Sequence, residues 1–152
     1  MKAKPLRLDE IDRQIIRALQ KNGRVAYKTI ARQLNVSDGT VRLRTERMIH
    51  HHFLKISARV DPLYFDSSIA AQVGVNLEKR ANREIMETIA ALDGVQSVVN
   101  VTGRYDLLIE VCVTSRDALR RFLVEALSTI PGVCSSESFI YLEAVNKWVE
   151  MD

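Results

Sequence analysis

The 152-residue chain has only two cysteines, Cys112 and Cys134. Both lie in apolar, strand-like runs, where a cysteine behaves as a small buried hydrophobe, and no Cys/His spacing matches a zinc site. Also absent is any stretch approaching the ~18 uninterrupted apolar residues of a membrane span. Residues Met1 to Asp12 are basic and then acidic, without the apolar core of a secretion signal. These absences lead us to expect a cytoplasmic chain with no membrane partner and no metal, a setting that disfavours a disulfide. No grouping of Cys, His or carboxylates suggests general acid–base chemistry or a haem ligand, so neither a catalytic residue nor a cofactor is expected. At 47% hydrophobic and 27% charged residues, the composition excludes both disorder and a fibrous repeat, and a buried core is expected.

What is present is a charge asymmetry. Residues 1–60 carry 14 Lys/Arg against 5 Asp/Glu, whereas residues 61–152 carry 8 against 14, balances of +9 and −6 within a net +3. A basic part joined to an acidic part fits a nucleic-acid reader attached to a domain that does not touch nucleic acid. Asp61-Pro62 falls where the balance changes sign, and the residue before a proline is held extended. We therefore expect two domains, 1–60 and 61–152, joined there.

In the first domain Ile11, Ile15, Ile16 and Leu19 recur at helical spacing, with Asp9, Glu10 and Asp12 in the first turn, where the helix dipole favours anions. That helix should end near Asn22-Gly23. A second runs from about Tyr27 to Asn35 with Ile30, Ala31 and Leu34 inward, and Ser37 is placed to cap a third, Asp38 to His51. Two short helices joined by a tight turn, with small Ala31 at their approach, form a helix-turn-helix pattern. The third helix would then enter the major groove, with Ser37, Asp38, Thr40 and Arg42 near base edges or phosphates and Arg47 near phosphate. Arg24, Tyr27 and Lys28 would grip the backbone. Arg44 is open to two readings, an ion pair with Asp9 or Asp12 and a phosphate contact, and Thr40 either reads DNA or supports the turn. Gly39, costly in a helix by ~1 kcal/mol, would let the backbone approach DNA closely. His50, His51 and His52 point in different directions around a helix end, as a solvated terminus or as a pH-sensitive cation cluster near phosphate. Phe53 to Val60 should form a short strand.

In the second domain Ile69, Ala71, Val73, Val75 and Leu77 alternate as a strand. A helix (Ala81 to Leu92), strands Val95 to Thr102 and Leu107 to Val113, a helix with Leu119, Phe122, Leu123, Ala126, Leu127 and Ile130 along one stripe, and a strand from Val133 to about Glu143 follow. Gly94-Val95-Gln96-Ser97 and Gly132-Val133-Cys134-Ser135 form a faint repeat, so βαββαβ reads as two βαβ halves of a ferredoxin-like α+β fold. Its helix-free face would carry Val98, Leu108, Cys112, Ile140 and Leu142, enough apolar surface to need a cover. A second copy packed sheet to sheet would supply it, and the resulting homodimer would place two recognition helices on palindromic double-stranded DNA.

Leu8-Asp9-Glu10-Ile11-Asp12 with Ile15-Ile16 and Leu19, Gly23-Arg24, Ile30-Ala31, Leu34, Ser37, Thr40-Val41 and Arg44, followed by Val101-Thr102-Gly103-Arg104-Tyr105-Asp106-Leu107, make an ordered set. Over nearly the whole chain it resembles the Lrp/AsnC (feast/famine) transcription regulators. The resemblance implies a winged helix-turn-helix domain and a βαββαβ regulatory domain of the RAM or ACT-like kind. It further implies dimers associating into tetramers or octamers, and an amino acid or related small effector bound between dimers near the Gly-x-Tyr-Asp turn. By position this would involve Thr102, Gly103, Arg104, Tyr105 and Asp106, with Ser135 and Ser136 from a neighbouring subunit. Asp106 would receive an α-ammonium, and Arg104 or the glycine-turn N–H groups an α-carboxylate. The alternative is a tight turn that Gly103 permits and Asp106 closes. Two departures are His51-His52-Phe53-Leu54 at the wing and Thr45 where the family prefers an aliphatic residue. Proteins similar to this family, the sirohaem decarboxylases, use the same layout for catalysis, and an architectural DNA binder without an effector is a further alternative.

Overall fold

The computed structural model describes residues 7–61 and 68–150, so Pro62 of the expected linker lies outside the described residues. The chain divides into two compact units between Ser57 and Ala58.

The first unit holds three helices. Helix α1 (Glu10–Lys21) begins with a capping box: Asp9 accepts the N–H of Asp12 at 2.9 Å, and Asp12 accepts that of Asp9 at 3.1 Å. Helix α2 (Tyr27–Leu34) ends at Asn35, which takes the left-handed conformation at φ 53°. Helix α3 (Asp38–His50) starts on Ser37, whose Oγ accepts the Thr40 N–H at 3.0 Å. Ile15, Leu19, Ile30, Ala31, Val41 and Met48 meet in one core. Thr45 is also fully buried, and its hydroxyl donates to the Val41 carbonyl at 2.8 Å. That bond explains how a polar residue occupies a position where an aliphatic one was expected.

The expected strand from Phe53 to Val60 does not form, and the wing expectation is corrected with it. Phe53 and Leu54 instead fold back on the end of α3, donating to the Met48 carbonyl, and Leu54 packs on the core. Val60 makes a reciprocal antiparallel bridge with Val149, 2.9 Å in each direction, within the second unit. Its partner is some ninety positions away, which local alternation cannot reveal.

The second unit runs β1 (Ile69–Leu77), α4 (Arg83–Ala90), β2 (Val95–Asn100), β3 (Leu107–Val113), α5 (Arg116–Arg121) and β4 (Val133–Ile140). The sheet order is β2-β3-β1-β4, antiparallel throughout. The single helix expected from its apolar stripe is continued after Arg121 by a π turn, Phe122–Ala126, and a 3-10 turn, Leu127–Thr129. Ala71, Val73, Val75, Leu107, Ile109 and Val111 pack beneath Ile89, Leu119, Phe122 and Leu127. Gly94 opens β2 at φ 79°, and a Cβ there would lie 2.6 Å from the Cys112 carbonyl oxygen, so both torsion and space require glycine.

Two face assignments are corrected. A bulge between Val95 and Ser97 shifts the register, so Val98 pairs with Ile109 and packs on the helix-covered core. Ile140 pairs with Ala71 and shares its side. Leu108 and Cys112 do lie on the helix-free face. One end of that face is covered from within the unit: Val149, fully buried, packs with Ala70 and Cys112, and Lys147 pairs with Glu110. On the two edge strands of that face Val99 of β2 is 50% and Phe139 of β4 45% exposed. Cys134, expected inside, is exposed, while Cys112 is buried and burial pushes its thiol pKa up.

Candidate nucleic-acid interface and effector turn

Helix α3 and the start of α2 present most of the cationic candidates. Arg24 and Lys28 are exposed. The Arg42 guanidinium lies 5.6 Å from the Tyr27 ring centroid and 3.9 Å from Asp38, so one cation–π contact ties the two helices together. The Oγ of Ser37 lies 2.8 Å from that of Thr40, so the pair supports the turn as well as facing solvent. A Cβ on Gly39 would meet only the Ser37 Oγ, at 3.8 Å. Packing within the unit therefore gives no reason for glycine there.

The remaining two arginines are turned inward. Arg44 donates to Asp9 at 2.6 Å and to Asp12 at 2.9 Å, and Arg47 donates to Asp12 at 2.9 Å. Of the two readings of Arg44, the ion pair is the one formed. Asp12 is fully buried, and its carboxylate takes charge-assisted bonds from two of the three arginines of α3, Arg44 and Arg47. The N–H of Asp12, and after it Arg44, hold the Asp9 carboxyl below its ordinary pKa, while Asp9 and then Asp12 raise that of Arg44. Sequence reading weighed the Arg44 half of this clamp and missed the Arg47 half. The signal was two acids three apart at the start of α1 facing two arginines three apart in α3.

In the second unit the turn between β2 and β3 is built around Glu137 of β4, which sequence reading did not single out. Tyr105 donates its hydroxyl to Glu137, which raises the phenol pKa, and Arg104 pairs with the same carboxylate at 3.1 Å. The Arg104 side chain is 77% exposed, and its guanidinium lies 5.4 Å from the Tyr105 ring centroid. That ring rests directly on Gly74 of β1, where a Cβ would sit 2.6 Å away, and meets Phe139 edge-on at 6.3 Å. Thr102 and Gly103 are exposed, the latter at φ 137°. Asp106 ties the turn to β1: its Oδ2 accepts the Leu77 N–H at 2.8 Å, and its own N–H donates to Val75. Ser135 accepts a bond from Asn76 at 3.2 Å, whereas Ser136 pairs with Val75 and so lies on the opposite side of the sheet.

A helix-turn-helix unit joined to a βαββαβ unit is the architecture of a two-domain DNA-binding regulator. The AsnC-type helix-turn-helix domain matches residues 8–49, and the Lrp/AsnC ligand binding domain matches residues 70–148. An uncharacterized HTH-type transcriptional regulator of Pyrococcus abyssi is 36% identical over 147 residues, 96% of this chain and 92% of the relative. Regulatory protein AsnC of Escherichia coli K12 is 32% identical over 139 residues, 90% and 91% of the two chains. Among solved structures, E. coli AsnC superposes with a TM-score of 0.65 at 30% identity, covering 91% of this chain and 95% of that one. The leucine response regulatory protein of Mycobacterium tuberculosis gives 0.76 at 25% identity, covering 92% and 96%. The chain belongs to the Lrp/AsnC family of transcription regulators.

Proposed function

We propose that the chain is a non-catalytic, cytoplasmic regulator that binds palindromic DNA as a homodimer, assembles further into tetramers or octamers, and changes its assembly or DNA binding with an amino acid effector. No helix among the described residues is long and apolar enough to cross a membrane, and the named relatives are transcription regulators. The exposed apolar side chains at the two edges of the helix-free sheet face, Val99 and Phe139, support a sheet-to-sheet dimer.

The observation that carries the effector reading is the Arg104–Glu137–Tyr105 cluster. It sets a cation and a carboxylate side by side at the β2–β3 turn, on the rim of the helix-free sheet face, and an amino acid carries the complementary pair, an α-carboxylate for Arg104 and an α-ammonium for Glu137. Asp106 supports the site by holding the turn on β1, since one of its carboxylate oxygens already accepts a backbone N–H.

The test is thermal unfolding of the full chain against each of the twenty amino acids. A ligand bound only by the native state stabilises by RT ln(1 + [L]/Kd), about 2.7 kcal/mol at a hundred times Kd. We expect one or a few amino acids to raise the melting temperature and Arg104→Ala to abolish the rise. Arg104 is the better probe than Asp106 because it is exposed and its loss leaves the backbone bonding intact. No rise with any amino acid would remove the effector reading and leave the unit an assembly domain.

A further inference from the structure

Helix α3 carries an apolar side chain that neither the core nor any pairing explains. Leu43 is 69% exposed, in the middle of a helix whose buried side is formed by Val41, Thr45 and Met48. Each residue turns a helix by about 100°, so Leu43, two positions after Val41 and two before Thr45, stands nearly opposite that side. Gly39, one turn earlier, shares this outward line, and the outward-facing Arg42 flanks it, its side chain 59% exposed. An apolar centre with a cation beside it suits a major groove. Its walls are phosphate, and the one apolar group it displays at a base edge is the thymine C5-methyl.

We infer that Leu43 is a specificity-determining residue that packs on a thymine methyl group in the major groove, with Gly39 removing the side chain that would hold the helix away. The inference rests on α3 being the DNA-reading helix of the proposed function. Arginine and amide side chains read hydrogen-bonding edges, whereas leucine has no donor or acceptor, so its discrimination acts through the methyl alone.

The experiment begins by selecting DNA from a random duplex library with the full-length wild-type chain. Each thymine of the enriched half-site is then replaced in turn by deoxyuridine, which keeps every hydrogen-bonding group and lacks only the methyl. Burying one methyl is worth about four-fold in affinity. At one thymine per half-site we expect wild-type binding to weaken by about that factor, while Leu43→Ala binds the thymine and uracil duplexes equally. Because Leu43 is exposed, L43A should melt with the wild type, so the loss is not a folding effect. The inference is overturned if no thymine is methyl-sensitive, or if L43A keeps the full uracil penalty. A wild-type selection that enriches no sequence overturns the DNA-reading assignment itself, and this inference with it.

Discussion

Replacing Asp12 by Ala tests the clamp that joins α1 to α3. The Asp12 carboxylate is fully buried and accepts from Arg44, Arg47 and the Asp9 N–H. Removing one partner of a buried ion pair typically costs about 3–5 kcal/mol. Here Arg44 and Arg47 keep 24% and 40% side-chain exposure and regain water when freed, which places the cost near the low end, at about 3 kcal/mol. For a domain of this size that lowers the melting temperature by roughly 12 °C or more. Far-UV circular dichroism on the full chain reads the loss, and urea unfolding gives its free energy. In a double-mutant cycle, D12A and Arg44→Ala should couple strongly, because either change breaks the same bond. A change below about 0.5 kcal/mol, the ordinary effect of a surface substitution, or strict additivity in the cycle, would refute the clamp.

The same clamp separates structural from DNA-contacting arginines. Lys28→Ala and Arg42→Ala should each lower the slope of log affinity against log salt by about one, whereas Arg44→Ala should lower the melting temperature and leave the slope unchanged. The reverse pattern in a binding titration from low to high salt would put Arg44 on phosphate. Gly74→Ala drives a Cβ into the Tyr105 ring, and overpacking of this kind costs about 1–3 kcal/mol. The amino acid response should vanish with it, and a variant that melts and responds as the wild type would remove the Gly74–Tyr105 contact from the account. Asp9 has a depressed native pKa, so its contribution is complete above the unfolded carboxylate range and is lost as pH falls through the lower native value. Urea midpoints below about pH 4 should therefore fall more steeply for the wild type than for Asp9→Asn, and parallel acid limbs would contradict this.

Local chemistry made much of the fold legible. Ser37 announced its helix because a cap is a contact between residues three apart, Asp9, Glu10 and Asp12 announced theirs because anions gather at a helix N-terminus, and β1 and β3 announced themselves because one face of each is buried. What escaped depended on distant partners. Asp12 reads as a first-turn acid and one candidate partner of Arg44, and only the fold buries it and brings Arg47 to it as well. Val60 reads as the end of a local strand until Val149 pairs with it, and the bulge after Val95 reverses the face of Val98 without changing its hydrophobicity. The basic character of α3 was legible, but which arginines face outward was not, since Arg44 and Arg47 lie on the shoulder between core and solvent. Glu137 carried no local signal at all. Only the register that sets it opposite Gly74 brings it to Tyr105 and Arg104.

The central claim is that this chain reads a defined DNA sequence as a two-fold assembly. DNase footprinting of the full-length protein on DNA carrying its selected site, with protein titrated to saturation, tests it directly. The account predicts a discrete protected palindrome whose half-site centres lie about one helical turn, or a multiple of it, apart. Uniform protection along the fragment at every concentration would contradict it and mark a DNA-packaging protein instead.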